Sequence, residues 1–322
     1  MTQSTKQAGF FAGLWELASL LLLVLAIRVF LFGLYQVPTG SMETTMLVGE
    51  RFFADKLSYF FRKPVRGDII SFNDPEFRYS SNPVMNILQQ YVFGPFPFNL
   101  GPANWTKRVI GVPGDHVEGR VEDGKPVVYV NGNKLDEPYL NKYPLMRVWK
   151  QDLDSMLSQL HKDVRETFGD VKIDPETLEQ FAVRHLDCCP RSYDPSVSYE
   201  NQPFYRINPA RIVPMDLLYP GTLIRPDFTE ISVRSGANFW NGSDVFSIKL
   251  GDDEYWCMGD NRLGSRDCRS FGPIKGKNIH GRILFCIWSI DSNESWWIWD
   301  LIKHPIDFWT RVRWGRCLKW VL

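Results

Sequence analysis

From Leu17 to Ile27 the chain reads Leu-Ala-Ser-Leu-Leu-Leu-Leu-Val-Leu-Ala-Ile without a charge. This run belongs to a longer apolar stretch that begins at Phe10 and continues past Arg28 as Val-Phe-Leu-Phe-Gly-Leu-Tyr35. A helix that crosses a bilayer needs about 20 mostly apolar residues. The segment reaches that length if Arg28 snorkels to a headgroup or marks the end, with Glu16 near the other interface or facing protein. A cleaved leader would instead require a small-x-small site after the apolar run, and none follows. The stretch 10–35 is therefore expected to be a transmembrane anchor with its juxtamembrane segment, preceded by a short polar tail at 1–9. The tail carries only Lys6, so flanking charge says little about orientation.

Beyond the anchor the pattern changes. Short apolar stretches alternate with Gly, Pro, Asn and Asp: Arg51–Asp55, Asp68–Phe72, Lys107–Gly111, Val127–Val130 and Arg282–Trp288. Val130-Asn-Gly-Asn-Lys134 carries the signal of a hairpin turn. The reading is a mainly β protein, an antiparallel β body that occupies 36–142 and 251–322. Between them, 143–250 reads as an inserted, part-helical subdomain. Leu153, Met156, Leu157, Leu160 and Val164 recur at helical spacing. Asp174-Pro175 opens a second helix with Leu178, Phe181 and Ala182 on its apolar face. A Pro-rich irregular stretch follows (Pro195, Pro203, Pro209, Pro214, Pro220, Pro226), and Phe93 to Trp105 is another apolar, Pro-rich loop. The formal net charge is zero, which gives no argument for nucleic acid as a partner. The six cysteines form no CxxC pair or Cys/His cluster, so no metal site is expected.

Four runs carry chemistry. Pro38-Thr-Gly-Ser-Met-Glu-Thr-Thr-Met46 lies a few residues after the anchor. Arg66-Gly-Asp-Ile-Ile-Ser-Phe72 lies on the next strand. Lys107-Arg-Val-Ile-Gly-Val-Pro-Gly-Asp115 is in the middle of the chain, and Met258-Gly-Asp-Asn-Arg-Leu-Gly-Ser-Arg-Asp-Cys-Arg269 is near the end. Each has an ordinary local reading: a turn serine, a solvated Lys-Arg pair, a tight loop with a structural ion pair. As an ordered set they resemble the signature boxes of bacterial type I signal peptidases, Ser/Lys-dyad serine endopeptidases. The flanks agree: Arg28-Val-Phe-Leu-Phe, Asn131-Gly-Asn-Lys, Glu137-Pro-Tyr139, Phe271-Gly-Pro273 and Gly281-Arg282. The likeness runs from the anchor to the end but leaves out the block from Tyr143 to Leu250. Two positions depart from the family's pattern, which usually has Pro at Thr44 and Ser at Cys268. Thr44 is expected to loosen the turn after the nucleophile. Cys268 is expected to tune its loop without replacing a catalytic group.

The resemblance implies Ser41 as nucleophile and Lys107 as general base. It also implies that Ser265 hydrogen-bonds the Lys107 amine and that the Thr39 hydroxyl and Ser41 backbone N–H hold the oxyanion. Asp267 and Arg269 would pair to hold the last loop, with Asp260, Arg262 and Arg108 in structural support. None of the five histidines lies in the Ser box or the last box, so nothing points to a Ser-His-Asp triad. A lysine base raises an energy question. Free Lys, with a pKa near 10.4, is neutral in only about one molecule in 2,500 at pH 7. A useful base needs a shift of roughly 3 units, about 4 kcal/mol, which burial among apolar groups can supply. Strand alternation would put Arg108 on the opposite face.

The implied activity is removal of signal peptides from exported preproteins after small residues of the Ala-x-Ala type, with no cofactor and no metal. Preproteins and the lipid bilayer are the partners. The implied location is the bacterial cytoplasmic membrane, with the catalytic domain on its outer side. Two other readings remain open. One is a specialised maturation peptidase of the same family whose insert selects a narrow substrate; the other is a non-catalytic membrane scaffold that binds preproteins. A DNA-binding self-cleaving repressor and a Ser-x-x-Lys penicillin-binding enzyme fit less well, because of the anchor and the absence of that motif at Ser41. The C-terminal run from Trp296 carries six tryptophans among Lys303, Arg311, Arg313, Arg316 and Lys319, and with the Phe93–Phe98 loop it is a candidate second membrane contact.

Overall fold

The computed structural model describes residues 2–93, 101–149, 158, 162, 165–166, 188–212, 244–292 and 297–321. The first helix, α1 (Thr2–Ala26), continues through a π-helical turn, Ile27–Leu31. Residues 12–31 form a helical stretch long and apolar enough to cross a membrane, and none of it is buried in the protein. Val29, Phe30 and Leu31 extend the apolar run past Arg28, so Arg28 lies inside the helical stretch rather than at its end.

The chain passes directly from that turn into β1 (Phe32–Gln36), which pairs antiparallel with β2 (Arg51–Asp55). With β3 (Ile69–Asn73), β4 (Asn104–Gly111), β11 (Glu254–Met258), β12 (Ile274–Lys275) and β13 (Ile279–Trp288) they form a seven-stranded antiparallel sheet. Its order is β1-β2-β13-β3-β4-β11-β12. A four-stranded sheet has the order β10-β5-β6-β7, from β5 (His116–Glu122), β6 (Lys125–Val130), β7 (Asn133–Lys134) and β10 (Phe246–Lys249). The β6–β7 turn is at Asn131-Gly132, both with positive φ (53° and 79°), as a two-residue hairpin of the observed twist requires. The two sheets share one core. Ile70, Phe72, Val109 and Ile110 from the first meet Val117, Val128, Val130 and Phe246 from the second around the fully buried Trp256. Burial of such large side chains stabilises by roughly 1.5–3 kcal/mol each.

Strands were legible where apolar runs met turn residues. The block 143–250 contributes more β structure than its sequence indicates. β8 (Leu145–Trp149) and β9 (Cys188–Ser192) form a two-stranded sheet, and β10 joins the body through β5. The two helices expected at Leu153–Val164 and Asp174–Ala182 lie almost wholly outside the described residues; Ser158 and Lys162 in the first, and Arg165 and Glu166 just after it, are described and helical. Residues 94–98 of the apolar loop and Trp296 also lie outside them.

The C-terminal segment packs back on the body. Phe308, Ile290 and Val312 form a small buried cluster, and Phe285 bridges to Trp320. Its arginines turn inward: Arg311 to Asp300 (2.7 Å), Arg313 to Asp291 (3.2 Å) and Arg316 to Glu50. The rings and aliphatic chains turn outward, with Ile306, Leu318, Trp299, Trp314 and Trp320 exposed.

Candidate active site

β4 is an interior strand paired with β3 and β11, and its two faces are covered by other groups, Ser41 against Lys107 and Asp260 with Tyr139 against Arg108. That is why neighbouring Lys107 and Arg108 are both buried while pointing to opposite sides. Ser41 sits in a buried 3-10 turn, Gly40–Met42, within the Val37–Glu50 loop that joins β1 to β2. Two backbone hydrogen bonds close that loop, Val37 N to Glu50 O (2.9 Å) and Gly49 N to Val37 O (2.9 Å). The Lys107 Nζ lies 2.9 Å from Ser41 Oγ and donates to the Thr106 carbonyl at 3.0 Å. Burial lowers the Lys107 pKa to about 8, against the opposing pull of the Asp267 and Asp260 carboxylates.

The loop after β11 clamps the serine turn. Asn261 donates from its side chain to Gly40 O (2.8 Å) and from its backbone to Ser41 O (3.1 Å). Gly259 lies so close that a Cβ there would fall 2.4 Å from Ser41 O and 2.2 Å from Ser265 Oγ, a separation no side chain tolerates. Asp267 accepts from Gly259 N (3.0 Å) and from the Arg269 guanidinium (2.9 and 3.0 Å). Arg269 also reaches Asp244 (2.5 Å) and the Arg262 carbonyl (2.9 Å). Arg262 donates to Gly259 O (3.1 Å) and pairs with Glu137. The Asp267 carboxyl is held below its usual range because Arg269 outweighs its burial.

Arg108 grips Asp260 with two hydrogen bonds, 2.8 and 2.7 Å, and stacks 4.0 Å over the Tyr139 ring. Asp260 in turn accepts from Thr45 Oγ1 at 2.5 Å, which ties the last loop to the segment after Ser41. Ser265 is placed beside Gly259: its Oγ is buried, without a hydrogen-bond partner of ordinary geometry, and the Lys107 Nζ contacts are with Ser41 Oγ and Thr106 O. Thr39 is on the exposed rim of the same cleft. The cleft measures about 370 Å³, and its walls are Tyr35–Thr39 on one side and Ala103–Lys107 on the other, with Ser41 and Met42 at the floor. Among the described histidines, His116, His280 and His304, none lines it.

Sequence reasoning missed three groups here. Asn261 was one letter of a motif with no role attached. Glu43 is fully buried and accepts from Ser192 N (2.7 Å), Ser192 Oγ (2.5 Å) and Tyr205 OH, so the inserted block grips the residue two beyond Ser41. Burial raises the Glu43 pKa against those hydrogen bonds. Arg316, from the far end of the chain, donates to Thr44 O (3.3 Å) and Thr45 O (2.9 Å). The turn at Thr44 is thus held by outside partners, where the missing proline implies a looser one. Only the acidic character of Glu43 inside an apolar neighbourhood (Met42, Met46, Leu47) could have flagged it.

Comparison with known proteins bears on the same residues. The model of the family described as "Signal peptidase, peptidase S26" matches residues 13–179 and 226–288, more than half of the chain. A probable signal peptidase I-2 of Synechocystis sp. is 34% identical over 123 residues, 38% of this chain and 46% of that protein. A signal peptidase I of Leptolyngbya laminosa is 32% identical over 143 residues, covering 44% and 61%. The signal peptidase I of Aquifex aeolicus is 24% identical over 277 residues, covering 85% of this chain and 82% of that one. The first two matches thus span about half of the relatives' lengths.

Proposed function

The chain belongs to the signal peptidase family, peptidase S26, and from that premise we propose that it is a membrane-anchored endopeptidase in which Ser41 attacks the scissile amide and neutral Lys107 takes its proton. The observation that carries this reading is the 2.9 Å Lys107 Nζ–Ser41 Oγ approach inside a buried site where the amine pKa falls to about 8. A serine hydroxyl needs a positioned base, and an amine near that pKa is useful at neutral pH. As the tetrahedral intermediate collapses to the acyl-enzyme, protonated Lys107 gives its proton to the departing amine, and neutral Lys107 then takes a proton from the water that attacks the ester. The Ser41 N–H and the Thr39 hydroxyl, on the rim above it, are the oxyanion donors of this reading. The Ser265 hydroxyl, buried beside Gly259, is in this reading the group that hydrogen-bonds the Lys107 amine and aims it at Ser41 during turnover. Asp260, Arg262, Asp267, Arg269 and Arg108 hold the two loops in register.

The substrate class is an exported preprotein cut after Ala-x-Ala, presented to a cleft that begins four residues beyond the end of the anchor, on the outer side of a bacterial cytoplasmic membrane. The test is incubation of the detergent-solubilised full chain with such a preprotein. Release of the mature chain is expected, and Ser41→Ala, Lys107→Ala and Lys107→Arg are each expected to abolish it, since Arg stays charged. The double mutant should be no worse than either single, because the two residues act as a unit. No cleavage of general preproteins by a folded chain would leave the narrow-substrate peptidase; wild-type-like turnover by any of the three variants would remove the dyad.

A further inference from the structure

A second cavity, of about 190 Å³, opens where the last turn of the helical span meets β1. Arg28, Lys56, His280, Asn73 and Gln90 are among the described residues that line it, and none of those lining residues is a carboxylate. It adjoins the Ser41 cleft, because Tyr35, Gln36 and Asn104 line both. Lys56 is held at the mouth by a 2.9 Å hydrogen bond from Nζ to the Arg28 carbonyl. The Arg28 charge acts on Lys56 as a repulsive neighbour, in the same direction as its burial. The His280 Nε2 is buried and has no hydrogen-bond partner among the described residues. Burial and the Lys56 charge keep that ring neutral, with a pKa of about 4.

Two like charges converging on a half-buried hollow repel, and an orphaned ring nitrogen costs the desolvation of its lone pair or N–H. An oxyanion between them removes both penalties. An Arg fork and an ammonium are the groups that hold phosphate oxygens, and a neutral imidazole can donate the remaining hydrogen bond. The position decides the source. Arg28 lies three residues before the end of the span at Leu31. Lys56 is followed by Leu57, Phe60 and Phe61, exposed by 42%, 65% and 87%, on the turn and the short helix α2 (Ser58–Phe61). A cationic hollow flanked by outward apolar side chains at the end of a membrane span suits a lipid with its phosphate inward and its acyl chains along the span.

We propose that this cavity binds the phosphodiester headgroup of a bilayer phospholipid between Arg28 and Lys56, with His280 Nε2 as a further donor. Because Tyr35 and Gln36 form a wall of both cavities, the bound headgroup fixes the height of the Ser41 cleft above the acyl chains. The inference rests on reading 12–31 as a membrane anchor.

The test uses the full chain in dodecyl maltoside. Lysines are labelled with acetic anhydride at pH 8 and read by mass spectrometry after addition of phosphatidylglycerol, diacylglycerol or inorganic phosphate. A bound phosphate that raises the Lys56 pKa by about one unit slows its labelling about fivefold. That slowing is expected with phosphatidylglycerol alone, while exposed Lys125 and Lys277 label unchanged. Native mass spectrometry should retain one phosphatidylglycerol per chain, bound about tenfold more weakly in Lys56→Gln and restored in Lys56→Arg. If Lys56→Gln does not fold, the labelling of the unsubstituted chain decides. Equal labelling in phosphatidylglycerol and diacylglycerol overturns the site, and flotation of the same chain with vesicles would show that the anchor reading survives that failure. Equal protection by inorganic phosphate overturns the lipid as its occupant.

Discussion

Replacing Lys107 with Met should inactivate the protein and, at neutral pH, stabilise it. The folded-state pKa of about 8 lies some 2.4 units below the 10.4 of an unfolded lysine, which corresponds to about 3 kcal/mol. For a base with a depressed folded pKa, the unfolded chain binds the extra proton between pH 8 and 10.4. Stability therefore rises with pH across that window, and below pH 8 the full penalty is present. Met removes the penalty but also two hydrogen bonds, to Ser41 Oγ and Thr106 O, worth about 1 kcal/mol each. A net gain of about 1 kcal/mol is left at pH 7, turning into a deficit of about 2 kcal/mol above pH 10.4. Urea unfolding of both proteins in mild detergent, followed by tryptophan fluorescence from pH 6.5 to 10.5, reads the difference directly. The same pKa governs turnover: about one lysine in eleven is neutral at pH 7, so kcat/KM should rise about tenfold by pH 9 and then level. A stability difference that stays constant across the whole range would refute the buried, neutral lysine.

Glu43→Ala should cost roughly 3–5 kcal/mol, because it strands the Ser192 N–H, the Ser192 hydroxyl and the Tyr205 hydroxyl in the interior; a loss below about 1 kcal/mol in thermal unfolding would mean the inserted block does not grip the serine turn. A chain starting at Phe32, which keeps β1, should still sediment with anionic vesicles through Trp299, Ile306, Trp314, Leu318 and Trp320, and with little response to salt, since Arg311, Arg313 and Arg316 are already paired with carboxylates. Complete recovery in the supernatant at low salt would limit membrane contact to the anchor.

The strands were legible because turn residues bracket β-branched and aromatic runs, and the anchor because eleven uncharged residues in a row have few other uses. The site was legible as residue types but not as partners. Asp68, Asp115, Asp260 and Asp267 all stand in the recognised boxes. Asp267 pairs with Arg269, two residues on, and Asp68 with Arg62, six residues back, but Asp68 also meets Arg282, and Asp115 and Asp260 meet Arg66 and Arg108 from far along the chain. Pairing of the others depends on sheet order, which places β3 between β13 and β4 and cannot be read from local pattern. The insert's role was hidden for the same reason. Ser192 and Tyr205 carry no motif, and their contact with Glu43 spans about 150 residues or more of chain.

That pairing has a consequence for the chemistry. A bare carboxylate beside Lys107 would stabilise the ammonium and raise its pKa, the opposite of what a base needs. Asp267 and Asp260 do pull in that direction, yet each is paired with a guanidinium, Arg269 and Arg108, whose opposite charge opposes its field at the lysine. On the proposed reading of Lys107 as base, the ion pairs limit how far these carboxylates work against its burial, as well as holding the loops. Arg269→Gln separates the two roles. The amide can still donate to Asp267, but the compensating charge is gone, and the lysine then meets an unbalanced anion in a low-dielectric interior. The acid limb of kcat/KM should move to higher pH by about one unit, which lowers activity about fivefold to tenfold at pH 7 while leaving the plateau above pH 10 little changed. Loss of a buried pair also destabilises, by roughly 3–5 kcal/mol, so the profile is measured on protein whose unfolding curve shows it folded at the assay temperature. A purely structural Arg269 would lower activity by the same factor at every pH. A folded Arg269→Gln protein with an unmoved acid limb would sink the idea that these pairs tune the lysine.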